Sequence, residues 1–83
     1  MYYTINNPDG SISTTKYRTQ IDAARALAPH VTEDYDYPIW RGDGQVCVAY
    51  VRLMHKSWDS PERTPHLIHT NRYGYETGST PLT

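Results

Sequence analysis

Residues 45–54 read QVCVAYVRLM. Successive side chains of an extended chain alternate between faces, so Val46, Val48 and Tyr50 fall on one side and Cys47, Ala49 and Val51 on the other. Both sides stay apolar until Arg52. Such a strand belongs at the centre of a sheet covered on both faces, or against a partner chain. Just upstream, Gly42-Asp43-Gly44 reads as a tight turn and Ile39-Trp40-Arg41 as a short strand, which makes this region an antiparallel hairpin. Downstream, Lys56–Pro65 (KSWDSPERTP) is polar and holds two prolines, so a loop is expected there, followed by a short strand at His66–Thr70. The pattern leaves open whether that strand runs on to Tyr75.

Moving toward the N-terminus, Met1–Asn6 reads as a strand with Tyr3 and Ile5 on one face. Asn7-Pro8-Asp9-Gly10 is a turn: Pro8 presets φ at its second position and Gly10 accepts a left-handed conformation. Ser11–Tyr17 alternates and is rich in β-branched residues, so it is expected as the return strand of a first hairpin. One helix follows. Thr19 is its N-cap, Asp22 sits where a capping box needs a carboxylate, and Ile21, Ala24, Leu27 and Ala28 form one apolar stripe ending at Pro29. A helix this short does not hold by itself in water, so the stripe must pack on the sheet.

These elements make a small two-layer α+β domain: an antiparallel sheet of four to five strands, built from a β-hairpin, one helix and a second hairpin, with the helix on one face. The domain is expected over residues 1–76, with 77–83, rich in Gly, Ser, Thr and Pro, as a flexible C-terminal tail. Val31–Pro38 carries Glu33, Asp34 and Asp36 within four positions, a charge density that places it on an exposed connection.

Composition narrows the function. Ile, Leu and Val total 13 of 83 residues and Phe is absent, so the eight Tyr and two Trp must supply much of the apolar area. A formal charge of −1, from 8 basic and 9 acidic side chains, supports neither a strongly basic nucleic-acid binder nor a wholly acidic mimic of DNA. No apolar run is long enough to span a bilayer, so no membrane association is expected. Met1–Asn7 lacks both the basic region and the apolar core of a secretory leader. One cysteine fits a reducing compartment, and a cytoplasmic location is expected.

Chemistry-bearing residues form no recognisable constellation. His66 and His69 are the only close histidine pair, and on a strand their rings point to opposite faces. No CxxC accompanies them, so neither metal nor other cofactor is expected. Cys47 with His55 as base would need an exposed thiolate, whereas Cys47 lies mid-strand between valines. Ser57, Asp59 and the histidines lack a nucleophile elbow and an oxyanion loop. A chain this short leaves little room for a cleft of several hundred Å³. No catalytic residue is assigned, and the protein is expected not to be an enzyme.

Two binding readings remain. The acidic tyrosine loop presents Asp34, Tyr35, Asp36 and Tyr37 to Lys or Arg on a partner, with Trp40 and Trp58 as further anchors. Alternatively, Arg52, Lys56, Arg72 and Tyr73 mix cations with rings as single-strand binders do. Residues 44–83 carry only 4 basic against 3 acidic side chains, so the protein-contact reading is preferred. Strand edges also admit a homodimer.

In overall build the chain resembles the small phage-encoded accessory proteins, anti-CRISPR inhibitors among them. The features that carry the resemblance are its size, the opening hairpin Tyr2–Tyr17 around Asn7-Pro8-Asp9-Gly10, one short helix and no catalytic signature. It spans the whole chain and no specific motif, so no residue role follows from it. The resemblance implies a stoichiometric inhibitor in the host cytoplasm. Its partner would be a larger protein or nucleoprotein defence complex of the CRISPR-Cas type, blocked sterically. Many such inhibitors are conspicuously acidic and this chain is not, so the expectation is a local acidic patch.

Overall fold

The computed structural model describes residues 1–44 and 46–82. The N-cap forms as the sequence dictates. Thr19 is extended (φ −132°, ψ 159°) and its hydroxyl accepts from the Asp22 N–H at 3.1 Å, starting α1 at Gln20–Leu27. The helix then tightens into a 3₁₀ turn at Ala28–His30, with Pro29, which has no N–H to carry the α-helical ladder on, in its first turn. Its buried side is Ala23, Ala24 and Leu27, with Ile21 half-buried beside them. Ala28, expected on this stripe, falls in the 3₁₀ turn and is only partly covered.

Five strands form one antiparallel sheet in the order β1-β2-β3-β4-β5: Tyr3–Ile5, Tyr37–Arg41, Val46–His55, Arg63–Thr70 and Glu76–Pro81. The helix lies within the long connection from β1 to β2, and the remaining strands follow as a meander. The protein is thus a small α+β domain, with α1 packed over β1, β2 and β3. The core on that face joins Ile5, Leu27, Val31, Ile39, Ala49, Val51 and Leu67 to the helix alanines. Cross-strand partners share a face, so Tyr50 and Ile68 look the other way, where no helix lies among the described residues. Ile68 is nonetheless fully buried.

Strand β3 is central, as its two apolar faces require, pairing with β2 on one side and β4 on the other. Gln45, expected as its first residue, lies outside the described residues. Gly42 (φ 71°) and Gly44 (φ 83°) make the turn before it. A side chain on Gly44 would be strained by that φ and would also meet Ile12 at 2.9 Å, so the turn is closed from above by the 11–17 segment.

Three expectations are corrected. Ser11–Tyr17 is not a regular return strand. It touches β1 only at two isolated bridges, Tyr3–Tyr17 and Asn6–Ile12, because β1 takes its continuous partner, β2, from later in the chain. The loop expected over Lys56–Pro65 ends early, since β4 begins at Arg63 and includes Pro65. Residues from 77 onward are not a loose tail: Glu76–Pro81 pairs with β4 as β5, so the folded unit runs past residue 76. Outside partners override the weak strand propensity of ETGSTP. Thr83, the last residue of the expected tail, lies outside the described residues.

Candidate functional site

Antiparallel register fixes what shares an end of the sheet. Tyr37 begins β2 opposite Val51, so the 32–36 connection and the 56–62 loop lie toward one end, with the 7–10 turn and the end of α1. At this end sits an open groove of about 470 Å³, walled by Tyr35 and Tyr37, the 7–10 turn and Pro29–His30, with Leu27 at its base. A chain this short is expected to leave little room for a cleft of several hundred Å³; this groove reaches that size because it is open to solvent along its length. It arises between a turn, a helix end and a loop, and needs no deep core.

The groove wall is held by several independent ties. Tyr35 and Tyr37 stack with ring centres 4.4 Å apart and planes 15° from parallel. The Tyr37 oxygen accepts from the N–H groups of Thr32 (3.3 Å) and Glu33 (3.2 Å), tying the loop to the ring. The interaction between the two neighbouring phenols holds Tyr37 below its ordinary pKa and Tyr35 above it. Tyr35 still exposes 58% of its surface.

The loop carboxylates are also anchored. Arg52 grips Asp36 with two parallel bonds, Nε–Oδ1 at 2.6 Å and Nη2–Oδ2 at 2.8 Å, and its Nη2 also reaches Glu76 at 2.5 Å. This clasp ties the start of β2 to the start of β5 across the face opposite the helix. The Arg52 hydrogen bonds hold both carboxyl groups below the usual carboxylate range, and both carboxylates push the guanidinium upward in turn. Asp34 pairs with Arg63 at the head of β4, and Arg63 Nη2 donates to the Leu53 carbonyl at 3.3 Å. The acidic loop is therefore bolted to the β3–β4 hairpin.

Charge is segregated between the ends. Six of the nine carboxylates (Asp9, Glu33, Asp34, Asp36, Asp59 and Glu62) lie in the turn and loops of the groove end, against three of the eight cations, Lys56, Arg63 and Arg52, which holds Asp36. Around the opposite end lie Lys16, Arg18, Arg41 and Arg72, against Asp22, Asp43 and Glu76. A net charge of −1 conceals a dipolar molecule.

The residues of the two binding readings fall apart on this frame. Asp34, Tyr35, Asp36 and Tyr37 converge at the groove end, and Trp58, 96% exposed, stands in the loop at the same end. Trp40 does not join them: it is half-buried on the open face, where its Nε1 donates to Asn6 Oδ1 at 2.6 Å. The alternative set is scattered. Arg52 is occupied by two carboxylates, Lys56 pairs with Glu62 at 3.7 Å, and Arg72 and Tyr73 lie in the β4–β5 turn at the far end. There the Arg72 guanidinium sits 4.9 Å from the centre of the Tyr73 ring.

The chemical pairings considered from sequence do not assemble. Cys47 and His55 lie near opposite ends of β3. His66 shares the face of its partner Arg52, whereas His69 shares that of Ala49, so the two histidines do not converge. Among the described residues no group of three or more metal-ligating side chains comes together. Likewise among them, no helix is long and apolar enough to cross a membrane. The groove's other contributors, Leu27, Pro29 and the 7–10 turn, carry no chemical signature in sequence. The only available signal was that two chain breakers, Pro8 and Pro29, flank apolar stretches. No family model, curated protein or solved structure matches the chain.

Proposed function

We propose that the chain is a non-enzymatic protein-binding domain. It docks through the groove end of its sheet, with Tyr35 and Trp58 as contact rings and the surrounding carboxylates meeting a basic partner surface. One observation carries this reading: exposed rings and an excess of carboxylates, Asp9, Glu33 and Asp59 beyond those paired with Arg52, Lys56 and Arg63, gather at the end whose frame is already fixed. Rigid aromatic side chains lose little entropy on binding. A basic surface that ordinarily holds a phosphate backbone is the partner class such an end fits. A host nucleoprotein defence complex, the partner implied by the resemblance to phage-encoded inhibitors, carries such surfaces. Occupying one would exclude nucleic acid sterically.

The test compares the two ends of the molecule. Affinity capture from host lysate is run with the wild-type chain, with a Tyr35→Ala/Trp58→Ala double variant, and with an Arg72→Ala/Tyr73→Ala double variant. Recovery of the captured partner is expected to fall about tenfold or more for the first variant, and to stay within about twofold for the second. Loss confined to the second variant contradicts the proposal. So does a mobility shift of DNA or RNA by the wild-type chain at low salt, since that would restore the nucleic-acid reading.

A further inference from the structure

The chemistry of the groove wall narrows what the groove can hold. Its volume of about 470 Å³ suits a ligand the size of a few residues. Three ways of docking a piece of chain compete for it: an added strand, an amphipathic helix and a polyproline II segment. An added strand needs a row of backbone donors and acceptors. Three lining residues, Pro8, Pro29 and Pro38, have no N–H to give. The neighbouring β1 edge is closed as well. Tyr3 exchanges backbone hydrogen bonds with Tyr17 (2.8 and 2.9 Å), and the Ile5 carbonyl accepts from Ser13 N–H at 2.8 Å. A helix needs several aliphatic contacts along one stripe, whereas Leu27 is the one aliphatic side chain among the lining residues and is itself part of the core.

What the wall does offer is flat ring surface. Tyr35 stacks on Tyr37 through one face, which leaves its other face exposed, and the rings of Pro8 and Pro29 lie in the other walls. A polyproline II segment fits such a surface. It has no internal hydrogen bonds to complete, needs no ladder from its host, and loses little entropy because it is already extended.

Charge adds the second half of the ligand. Among the described lining residues none is Lys, Arg, Asp or Glu. Asp9 stands between two of them, Pro8 and Gly10, and Glu33 follows a third, Thr32. Neither forms an ion pair among the described residues, whereas Asp34 and Asp36 are held by Arg63 and Arg52. The Asp9 carboxylate accepts from the Ser11 N–H (2.9 Å) and hydroxyl (2.6 Å), which positions it without neutralising it. A cation beside the bound prolines would meet one of these two carboxylates.

We propose that the groove binds a proline-rich segment in the polyproline II conformation, flanked by a basic residue that meets Asp9 or Glu33. The proposal rests on docking through the groove end and names the ligand chemistry of that docking.

The test is an NMR titration of the isotope-labelled full chain with a synthetic peptide of six prolines carrying an arginine at each end. Saturable amide shifts are expected at Gly10, Thr32 and Tyr35, and none in the 71–75 turn. Exchanging the arginines for glutamates should weaken binding about tenfold or more. Exchanging the prolines for alternating glycine and serine should do the same. Tyr35→Ala should weaken the arginine–proline peptide about tenfold or more, while Tyr35→Phe, which keeps the ring, and Trp58→Ala, outside the groove wall, should stay within about twofold. Glu33→Lys, on an exposed loop, should shrink the preference for arginine over glutamate about threefold or more. Absence of saturable shifts at the groove overturns the proposal, and so does equal binding of the glycine–serine peptide. If capture from lysate still depends on Tyr35 and Trp58 in that case, docking through the groove end stands and its ligand class is wrong. Binding of the arginine–proline peptide at the groove, with capture indifferent to Tyr35 and Trp58, supports the ligand class and contradicts the proposed function.

Discussion

Both ends of the sheet expose aromatic rings, but they hold them differently. At the groove end Tyr35 stacks on Tyr37, Tyr37 accepts two backbone N–H groups, and Asp34 and Asp36 are gripped by Arg63 and Arg52. Leu27, at the base of the groove, belongs to the hydrophobic core. At the other end Tyr73 and Tyr75 hang from a turn closed locally, with Asn71 Oδ1 accepting from both their N–H groups and Gly74 in a left-handed conformation (φ 85°). One end is continuous with the core and the other is a self-contained turn. Exposed rings alone therefore do not distinguish the two ends. The distinguishing property is exposure on a frame that the rest of the fold has already fixed.

The largest effect should come from cutting the groove end out of the core. Leu27→Ala removes a side chain that is only 3% exposed and should cost about 2–5 kcal/mol in chemical denaturation. Tyr73→Ala, at the far end, should stay within about 0.5 kcal/mol. Comparable losses for the two would erase the distinction between the ends.

A smaller effect is expected from the clasp. Arg52→Ala removes three ionic hydrogen bonds and the arginine stem. With the side chain 30% exposed and screened by solvent, the cost should be about 1–2 kcal/mol. Its pH dependence has a definite sign. Asp36 and Glu76 have folded pKa values below their unfolded ones, so their contribution is fully present above roughly pH 4–5 and is lost as pH falls through the folded values. The gap between wild type and Arg52→Ala should therefore be widest near neutrality and close in acid. A gap that persists unchanged at pH 2 would mean that packing, not charge, accounts for it.

Smallest is the loosening of the wall itself. Tyr37→Phe keeps the stacked ring and deletes the oxygen that accepts from Thr32 and Glu33. Amide exchange at those two positions should quicken by about five- to tenfold, with exchange in the 71–75 turn unchanged. Equal rates in variant and wild type would show that the stack alone fixes the loop.

Much of this frame was legible in the residues. The Thr19 cap, the proline after Ala28, the Gly42–Gly44 turn and the two-sided apolar run through Ala49 and Val51 each have local causes, and each appears in the structure. Elements decided by competition between distant segments were not legible. Ser11–Tyr17 has strand-like composition but meets β1 only at isolated bridges, whereas ETGSTP has the composition of a tail but finds an open β4 edge. The same distinction applies to the candidate site. The acidic tyrosine loop stood out in sequence, yet its ties to Arg52 and Arg63 depend on strand register, which the spacing of charges along the chain does not reveal. Trp40 and Trp58 look equivalent as letters and are not: one donates to Asn6 within the fold and the other projects into solvent.

The most direct measurement is photo-crosslinking in cell lysate with a photoreactive aromatic residue placed either at position 58 or at position 73. A partner adduct at 58 and none at 73 is the result predicted for docking through the groove end. An adduct at 73 and none at 58 would move the interface to the cationic end and contradict the proposed function.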